Sequence, residues 1–296
     1  MKPAKNSRGE APEYLTHSQK YRLDLKGWLT IPNVLEDDLV KEIKEYCEDV
    51  KAGEFKRNMF DSDAILYLSE HPVIMGILNE LVSAQNCASD DAYGYRLENS
   101  FCIYREKTNT SSFKPHGGSG YYAADNRGHR YSCTPAEEFY HNFCQEADFS
   151  GFQGRLNTGL TRIVFEFNPV AYGTGTRFIS GSHKAALNKS DEVADHDSDI
   201  WDSYECDPGS LILFTEAITH SGSQWKSDFP RIAVFNCYNT IDKKFHLSGP
   251  TEEQYERMTT LQKSLFREVW NHSFQGDFGG YLGPNDRISD SGHFAV

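Results

Sequence analysis

Two histidines in strand-like surroundings are the residues of this chain best suited to chemistry. His116 lies in the glycine-rich segment Pro115-His116-Gly117-Gly118-Ser119-Gly120, and His220 closes a run of apolar and β-branched residues. Neutral imidazole is the commonest metal ligand in proteins. Two imidazoles at neighbouring strand ends can converge on one ion. We therefore predict that His116 and His220 bind a metal.

A candidate anion-binding residue follows the second histidine. Arg231 lies beyond the polar turn 221–230, so we expect it on the next strand. A guanidinium binds both oxygens of a carboxylate through its planar fork, which suits a carboxylate co-substrate beside a metal. Lys114, next to His116, is predicted as a second anion contact. Taken singly, each of these residues also has an ordinary structural interpretation, and it is their combination that favours a site.

The composition narrows the class of protein. Among 296 residues, 38% are hydrophobic and 13% aromatic, which is enough for a substantial core. A formal net charge of −13 argues against nucleic acid or an anionic membrane as a partner. Seven cysteines without a C-x-x-C pair indicate reduced thiols. We expect a cytoplasmic enzyme with a small-molecule substrate and no signal peptide, whose oligomeric state the sequence leaves open.

The order of predicted elements indicates a mainly β protein with flanking helices. Residues 1–13 are expected to be disordered, and 14–296 to form one domain. Its first part, 14–90, is predicted to be helical from its apolar periodicity. Short strands separated by turn signals follow, which is typical of a jelly roll, or double-stranded β-helix. Predicted strands are 28–32, 95–104, 160–167, 177–180, 209–214 and 231–236. A capping box at Thr251 predicts a C-terminal helix over 251–270.

A long insertion interrupts the strands. Residues 121–157 are polar and aromatic, with a helical segment expected around 135–145. So long a connection in a compact domain is typical of a lid or binding element, and we predict that it covers the metal. Candidate substrate contacts are Tyr121, Tyr122, Phe139 and Tyr140, with a structural aromatic cluster as the alternative. The acidic loop 191–202 is predicted to form another part of the pocket.

Three stretches carry a resemblance to a known family: 21–35, 174–184 with its Gly-Ser-His-Lys ending, and 208–214 followed by His220 and Arg231. From about Lys20 to Asn239 the chain resembles the phytanoyl-CoA dioxygenase-like branch of the iron(II)/2-oxoglutarate oxygenases. The resemblance implies a double-stranded β-helix, iron(II) held by the two histidines and 2-oxoglutarate anchored by the arginine. It also implies oxidation of a small molecule at an unactivated carbon, with His183 in a structural role.

The chain departs from this family at Gly118. The family's usual carboxylate ligand stands two residues after the first histidine, and Gly118 occupies that place. One alternative is a halogenase, in which chloride fills the open metal position beside Gly118. A second is a carboxylate from elsewhere, with Asp125, Glu137, Glu138 and Glu216 as candidates. A third is a non-catalytic jelly-roll binding protein.

Among the candidate carboxylates, Glu216 shares strand parity with His220. In an extended strand, however, four residues span about 13 Å, which is too far for one metal without a bulge. The sequence therefore favours oxidation, by hydroxylation or a related reaction, dependent on iron(II) and 2-oxoglutarate. It leaves the third ligand open.

Overall fold

A computed structural model of the protein describes residues 1–49, 59–108, 113–117, 122–124, 130–132, 140–144, 153–185, 190–246 and 249–269. Between 122 and 157 the description covers only the backbone of short strands. The helices are α1 (His17–Lys26), α2 (Asp37–Asp49), α3 (Asp63–Leu68), α4 (Pro72–Leu81), α5 (Glu252–Arg257) and α6 (Thr260–Ser264).

The strands are numbered along the chain. They are β1 (Trp28–Ile31), β2 (Tyr95–Arg105), β3 (Tyr122–Ala124), β4 (Arg130–Ser132), β5 (Tyr140–Cys144), β6 (Gln153–Asn157), β7 (Thr161–Glu166), β8 (Thr176–Phe178), β9 (Ser210–Thr215), β10 (His220–Gly222) and β11 (Arg231–Thr240). Five of them form an antiparallel sheet in the order β1-β9-β7-β11-β2. A smaller antiparallel sheet pairs β8 with β10, and two further ladders pair β3 with β4 and β5 with β6.

Alternation of side chains gives the large sheet two buried faces. Ile163 and Phe165 of β7 point to one face, which packs against the helices in the larger core cluster. Val164 points to the opposite, inner face, where the small sheet packs. There Phe178 of β8 stacks on Trp28, with ring centroids 4.9 Å apart. Residues of β7 with the parity of Val164 therefore lie between the two sheets.

The first helix begins and ends as its sequence predicts. Thr16 and Gln19 form a capping box at the start of α1, and Gly27 ends it with a φ of 81°. The ring of His183 lies so close to Gly27 that a Cβ there would be 2.5 Å from its Nδ1. Its Nε2 is 3.0 Å from the carbonyl oxygen of Asp24. This packing agrees with a structural role for His183.

Three predicted segments differ from the structure. Residues 1–13, expected to be disordered, form a packed irregular segment, because buried Asn6 and half-buried Ser7 make hydrogen bonds to Glu70. Instead of one helix over 251–270, two short helices follow each other, because Thr259 and Gln262 form a second capping box that starts α6. Within the segment expected to be helical, 140–144 is the strand β5, paired with β6.

The cysteines and the possibility of a membrane-spanning helix can be examined in the described part of the chain. Cysteines 47, 87, 102, 206 and 237 are free thiols. Among the described residues, no helix combines the length and apolar character needed to cross a membrane.

His71 makes the stability of the fold depend on pH. Its Nδ1 accepts a hydrogen bond from the backbone N–H of Val73 (3.4 Å) and caps α4, which requires an unprotonated nitrogen. Burial lowers the pKa of His71 to about 4. Because the unfolded histidine titrates near 6.5, the unfolded chain takes up this proton first as pH falls. We expect the contribution to be intact above pH 6.5 and to be lost progressively towards pH 4.

The measurement compares the wild type with His71→Asn, since asparagine is a good helix cap that does not titrate. Chemical unfolding measures the free energy of unfolding of both proteins at pH 7 and at pH 4. Over this range the wild type should lose about 2 kcal/mol more than the variant, a figure reduced for partial exposure of the ring. Parallel pH curves for the two proteins would contradict the assignment.

Candidate metal centre

His116 and His220 are held side by side by their backbones. They form an antiparallel bridge in which each N–H donates to the other's carbonyl, at 3.1 Å from His116 and 2.9 Å from His220. Their ring centroids are 4.1 Å apart. The convergence of these two histidines, predicted from the sequence alone, is therefore present in the structure.

Both imidazoles are oriented by backbone carbonyls two residues earlier. Nδ1 of His116 lies 2.8 Å from the oxygen of Lys114, and Nδ1 of His220 lies 2.8 Å from the oxygen of Ile218. A carbonyl only accepts, so Nδ1 carries the proton in each bond, and Nε2 of a neutral ring keeps its lone pair. This is the arrangement that fixes the tautomer of metal-binding histidines.

Glu216, one of the candidate carboxylates that the sequence left open, completes a three-residue group. Its Oε2 lies 3.4 Å from Nε2 of His220. One possible ligand atom from each of His116, Glu216 and His220 lies within 4.8 Å of the others. The estimate of about 13 Å assumed an extended strand, but β9 ends at Thr215 and a turn follows. The spacing prediction for Glu216 was therefore wrong.

The turn after β9 is built by local hydrogen bonds. Ile218 N–H donates to the carbonyl of Thr215 (3.1 Å), and Ala217 N–H donates to the Thr215 hydroxyl (3.2 Å). Thr219 N–H donates to the hydroxyl of Ser182 (2.7 Å), which ties the turn to the segment after β8. These contacts bring Glu216 back towards His220.

Arg162 of β7 holds the other oxygen of Glu216. Its Nε and Nη2 lie 2.7 Å and 2.6 Å from Oε1 of Glu216, and its Nη1 donates to Asn99 (3.0 Å). Burial by itself raises the pKa of Glu216, but the charges of Arg162 and His220 outweigh it and lower this pKa to about 2. The carboxylate is therefore ionised at neutral pH.

The protonation state of His220 also suits a metal. Burial, opposed by the charge of Glu216, lowers the pKa of His220 to about 4. At neutral pH the group therefore offers imidazole nitrogen and carboxylate oxygen, the two-histidine, one-carboxylate set that non-haem iron(II) enzymes use. The residues present fit such an ion.

Arg231 lies fully buried at the start of β11, on the inner face of the large sheet. Its Nε and Nη2 pair with the carboxylate of Glu166, and Nη2 also contacts the hydroxyls of Thr176 (3.3 Å) and Tyr204 (3.0 Å). Although burial disfavours the charge, Glu166 outweighs it and raises the pKa of Arg231. Nη1 is buried and has no hydrogen-bond partner among the described residues.

A second arginine lies beside the first. Arg105 of β2 pairs with Arg231 in the sheet, and its Nη1 donates to the carbonyl of Ser223 (3.2 Å). Burial and the neighbouring Arg231 lower the pKa of Arg105 to about 10. Two arginines thus lie at this end of the inner face with one carboxylate, Glu166, between their charges, which makes the region suitable for a further anion.

Several predicted residues are placed only in part. The Lys114 side chain is exposed, and its backbone is what contacts the site, through the carbonyl that orients His116. Gly118, Tyr121, Phe139, Asp125, Glu137 and Glu138 lie outside the described residues. Tyr122 begins β3 and Tyr140 begins β5, with their side chains not described. In the acidic loop, Trp201 packs edge-on against Phe113, which precedes His116 in the chain, with ring centroids 5.4 Å apart.

Comparison with solved structures identifies the type of fold. Apo HygX from Streptomyces hygroscopicus superposes with a TM-score of 0.63 at 17% identity, covering 82% of this chain and 94% of HygX. HygX with nickel, 2-oxoglutarate and hygromycin B bound gives 0.61 at 17% identity, covering 91% and 97%. EctD from S. alaskensis with bound Fe gives 0.52 at 12% identity, covering 84% and 89%. The fold is a jelly roll. No protein-family profile matches the chain, and no curated protein matches it.

Sequence reasoning named Glu216 as a candidate ligand but misjudged its distance from His220. It missed two charged residues altogether, Arg162 and Glu166. Arg162 and Glu166 lie on the same face of β7 as Val164. Charged residues on either side of an inward-facing valine were the signal that this face contains a polar site. The signal for Glu216 was weaker. The turn residues Ala217, Ile218 and Thr219 include none of the usual turn formers glycine, proline or asparagine.

Gly117 packs against the turn that carries Glu216. A Cβ at this position would lie 2.3 Å from the carbonyl oxygen of Ile218 and 2.7 Å from that of Glu216. We expect Gly117→Ala to push the turn away and to weaken Fe(II) binding by about tenfold or more, the effect of losing support for metal ligands. Isothermal titration under anaerobic conditions measures this.

The matched control is Gly181→Ala. Gly117 and Gly181 share a positive φ (78° and 82°), so both substitutions carry the same backbone strain. At Gly181, however, a Cβ would meet only the oxygen of Leu25 at 3.8 Å, an ordinary contact. Equal metal affinities in the two variants would show that the close approach at Gly117 is irrelevant to the site.

Proposed function

We propose that this protein is an iron(II)- and 2-oxoglutarate-dependent enzyme that oxidises a small molecule, of the phytanoyl-CoA dioxygenase-like type. The observation that carries the proposal is the group His116, Glu216 and His220, in which two imidazole rings and one ionised carboxylate offer ligand atoms within 4.8 Å of one another. That donor set leaves other positions of the metal free for a co-substrate.

Arg231 and Arg105 support 2-oxoglutarate as that co-substrate. The unpartnered Nη1 of Arg231 is a buried donor suited to the distal carboxylate, and Arg105 adds a second cation beside it. The stacked rings of Phe101 and Phe235 lie on the same inner face, with centroids 5.1 Å apart. Arg162 approaches one ring and Arg231 the other, so this aromatic pair connects the metal end with the anion end.

The neighbours add independent support. HygX has been crystallised with iron, and with nickel, 2-oxoglutarate and hygromycin B, so a protein of the same fold holds a metal, this co-substrate and a small molecule together. At 17% identity the likeness carries the fold. The assignment of cofactors to this chain rests on its own residues.

Each residue has a distinct role in the proposed reaction. His116, His220 and Glu216 would hold iron(II), and the guanidinium of Arg231 would bind the distal carboxylate of 2-oxoglutarate. Glu166 and Tyr204 orient that guanidinium through their hydrogen bonds to it. When bound, iron(II) and 2-oxoglutarate supply the oxidising chemistry that attacks an unactivated C–H bond with dioxygen. We propose the 121–157 insertion as the lid over this site.

The position of Glu216 favours hydroxylation or a related oxidation over halogenation. The halogenase alternative depended on a metal position left open by Gly118. A carboxylate from Glu216 supplies the third protein ligand, and no vacancy for chloride then follows from the glycine. A chloride-dependent spectral change of the iron and 2-oxoglutarate complex would restore that alternative.

The test of the proposed function is joint binding of its two cofactors. Anaerobic addition of Fe(II) and 2-oxoglutarate should produce the metal-to-ligand charge-transfer band of the chelate in the wild type. The band should be absent with either component alone. A wild-type protein that binds neither would be a jelly-roll binding protein instead.

A further inference from the structure

We propose that Arg162 is a positioning residue for the metal: it holds Oε1 of Glu216, so that Oε2 alone is presented beside Nε2 of His220. The inference rests on the proposed function and adds a residue that the family resemblance does not assign. It concerns how this chain presents a carboxylate that comes from the turn after β9.

The two oxygens of Glu216 have different partners. Nε and Nη2 of Arg162 both lie within 2.7 Å of Oε1, while Oε2 is the atom 3.4 Å from His220. A carboxylate held in this way has one oxygen engaged and one available, so the arrangement favours coordination through a single oxygen. Hydrogen bonds to a ligating carboxylate are a general way of fixing its orientation.

Arg162 is itself held rigidly. Its third nitrogen, Nη1, donates to Asn99 of β2 (3.0 Å), and its guanidinium carbon lies 5.5 Å from the centroid of Phe101. Arg162 is buried and lies on a central strand, β7, paired on both sides. The turn that carries Glu216 lies outside the large sheet. Arg162, which the sheet holds in place, therefore fixes the position of the Glu216 carboxylate.

The charge of Arg162 allows a test that distinguishes a role in positioning Glu216 from a role in stabilising the fold. With Glu216 present, the guanidinium supports a ligand and should aid metal binding. With Glu216 removed, the same guanidinium is an uncompensated cation close to the metal and should oppose binding. Arg162→Met should therefore weaken metal binding when Glu216 is present and should not weaken it when Glu216 is absent.

The experiment measures Co(II) binding, without co-substrate, to the wild type, Arg162→Met, Glu216→Ala and the double variant. We expect Arg162→Met alone to weaken Co(II) binding by about 10- to 100-fold, the effect of removing the partner of a metal ligand. In the Glu216→Ala background it should leave the affinity unchanged or increase it. The double variant also replaces a buried ion pair by apolar groups, a change that proteins commonly tolerate.

Two further readouts keep the inference open to refutation. Arg162→Lys retains the charge without the fork, so its affinity should lie between those of the wild type and Arg162→Met. The visible spectrum of bound Co(II) should change in Arg162→Met, since the second carboxylate oxygen is released. Circular dichroism of each variant establishes that it is folded.

The outcomes distinguish this inference from the proposed function. If the wild type binds neither Co(II) nor Fe(II), the metal centre is wrong and the inference falls with it. If the wild type binds Co(II), but Arg162→Met weakens binding equally with and without Glu216, only the positioning role is overturned. An unchanged affinity and spectrum in Arg162→Met would overturn it as well.

Discussion

Glu216→Ala should severely weaken metal binding while leaving the protein folded. The variant removes the carboxylate from a group that otherwise offers two imidazoles, and we expect Fe(II) affinity to fall by about 100-fold or more, beyond the range for losing an outer partner of a ligand. The charge-transfer band with 2-oxoglutarate should disappear with it. Anaerobic titration followed by absorbance measures both effects.

Removing this carboxylate also leaves Arg162 without its ion-pair partner, so stability needs its own measurement. The affinity should be measured below the midpoint of thermal unfolding of each variant. Exposed Glu42 of α2 provides a control, because Glu42→Ala removes the same charge from a helix that contributes no residue to the site. Its affinity for Fe(II) should equal that of the wild type.

The same experiment decides between the candidate carboxylates. Asp125, Glu137 and Glu138 lie in the insertion, and each should keep wild-type Fe(II) affinity when changed to alanine. Retained affinity in Glu216→Ala, together with loss in one of these three, would assign the third ligand to the insertion. The Glu216–Arg162 pair would then be a structural ion pair.

The contrast between His220 and Glu216 shows how far the sequence leads towards this site. The two histidines could be inferred because strand ends are visible as breaks in apolar alternation. Their meeting follows from the antiparallel arrangement of a jelly roll. The position of Glu216 could not be inferred, because the turn after Thr215 depends on contacts with Gly117 and Ser182, which come from distant parts of the chain.

The positions of helices and strands could be predicted from the sequence more accurately than the ion pairs of the buried charged residues. The predicted strand at 231–236 is the start of β11, and Gly27 ends α1 as expected. The ionic partners of the arginines depend on which strands are neighbours. Glu166 lies beside the start of β11 because β7 pairs with β11, an order of strands that local patterns do not contain.

The largest effect on stability should come from the buried pair of Glu166 and Arg231. Their side chains are 0% and 1% exposed, and they lie on adjacent strands of the large sheet. Glu166→Ala leaves the Arg231 guanidinium buried without its counter-ion. We expect a loss of about 3–5 kcal/mol in the free energy of unfolding, the usual cost of breaking a buried pair from one side. Chemical denaturation at pH 7 measures it.

The double variant Glu166→Leu with Arg231→Met separates stability from co-substrate binding. Replacing both charges by apolar groups of similar size is commonly neutral or stabilising, so this protein should be close to wild type in its free energy of unfolding. It should nevertheless bind 2-oxoglutarate about 10- to 100-fold more weakly, because a hydrogen bond between charged groups is worth roughly 1.5–3 kcal/mol. Fe(II) affinity should not change, since neither residue belongs to the metal group.

Arg105 determines how this result is interpreted. If Arg231 alone anchors the co-substrate, Arg105→Met should lower 2-oxoglutarate affinity only slightly. If both guanidiniums contribute, it should lower the affinity by about tenfold, the effect of one charged hydrogen bond. A double variant that is stable and still binds 2-oxoglutarate as the wild type does would contradict the role of Arg231. The Glu166–Arg231 pair would then serve the fold alone.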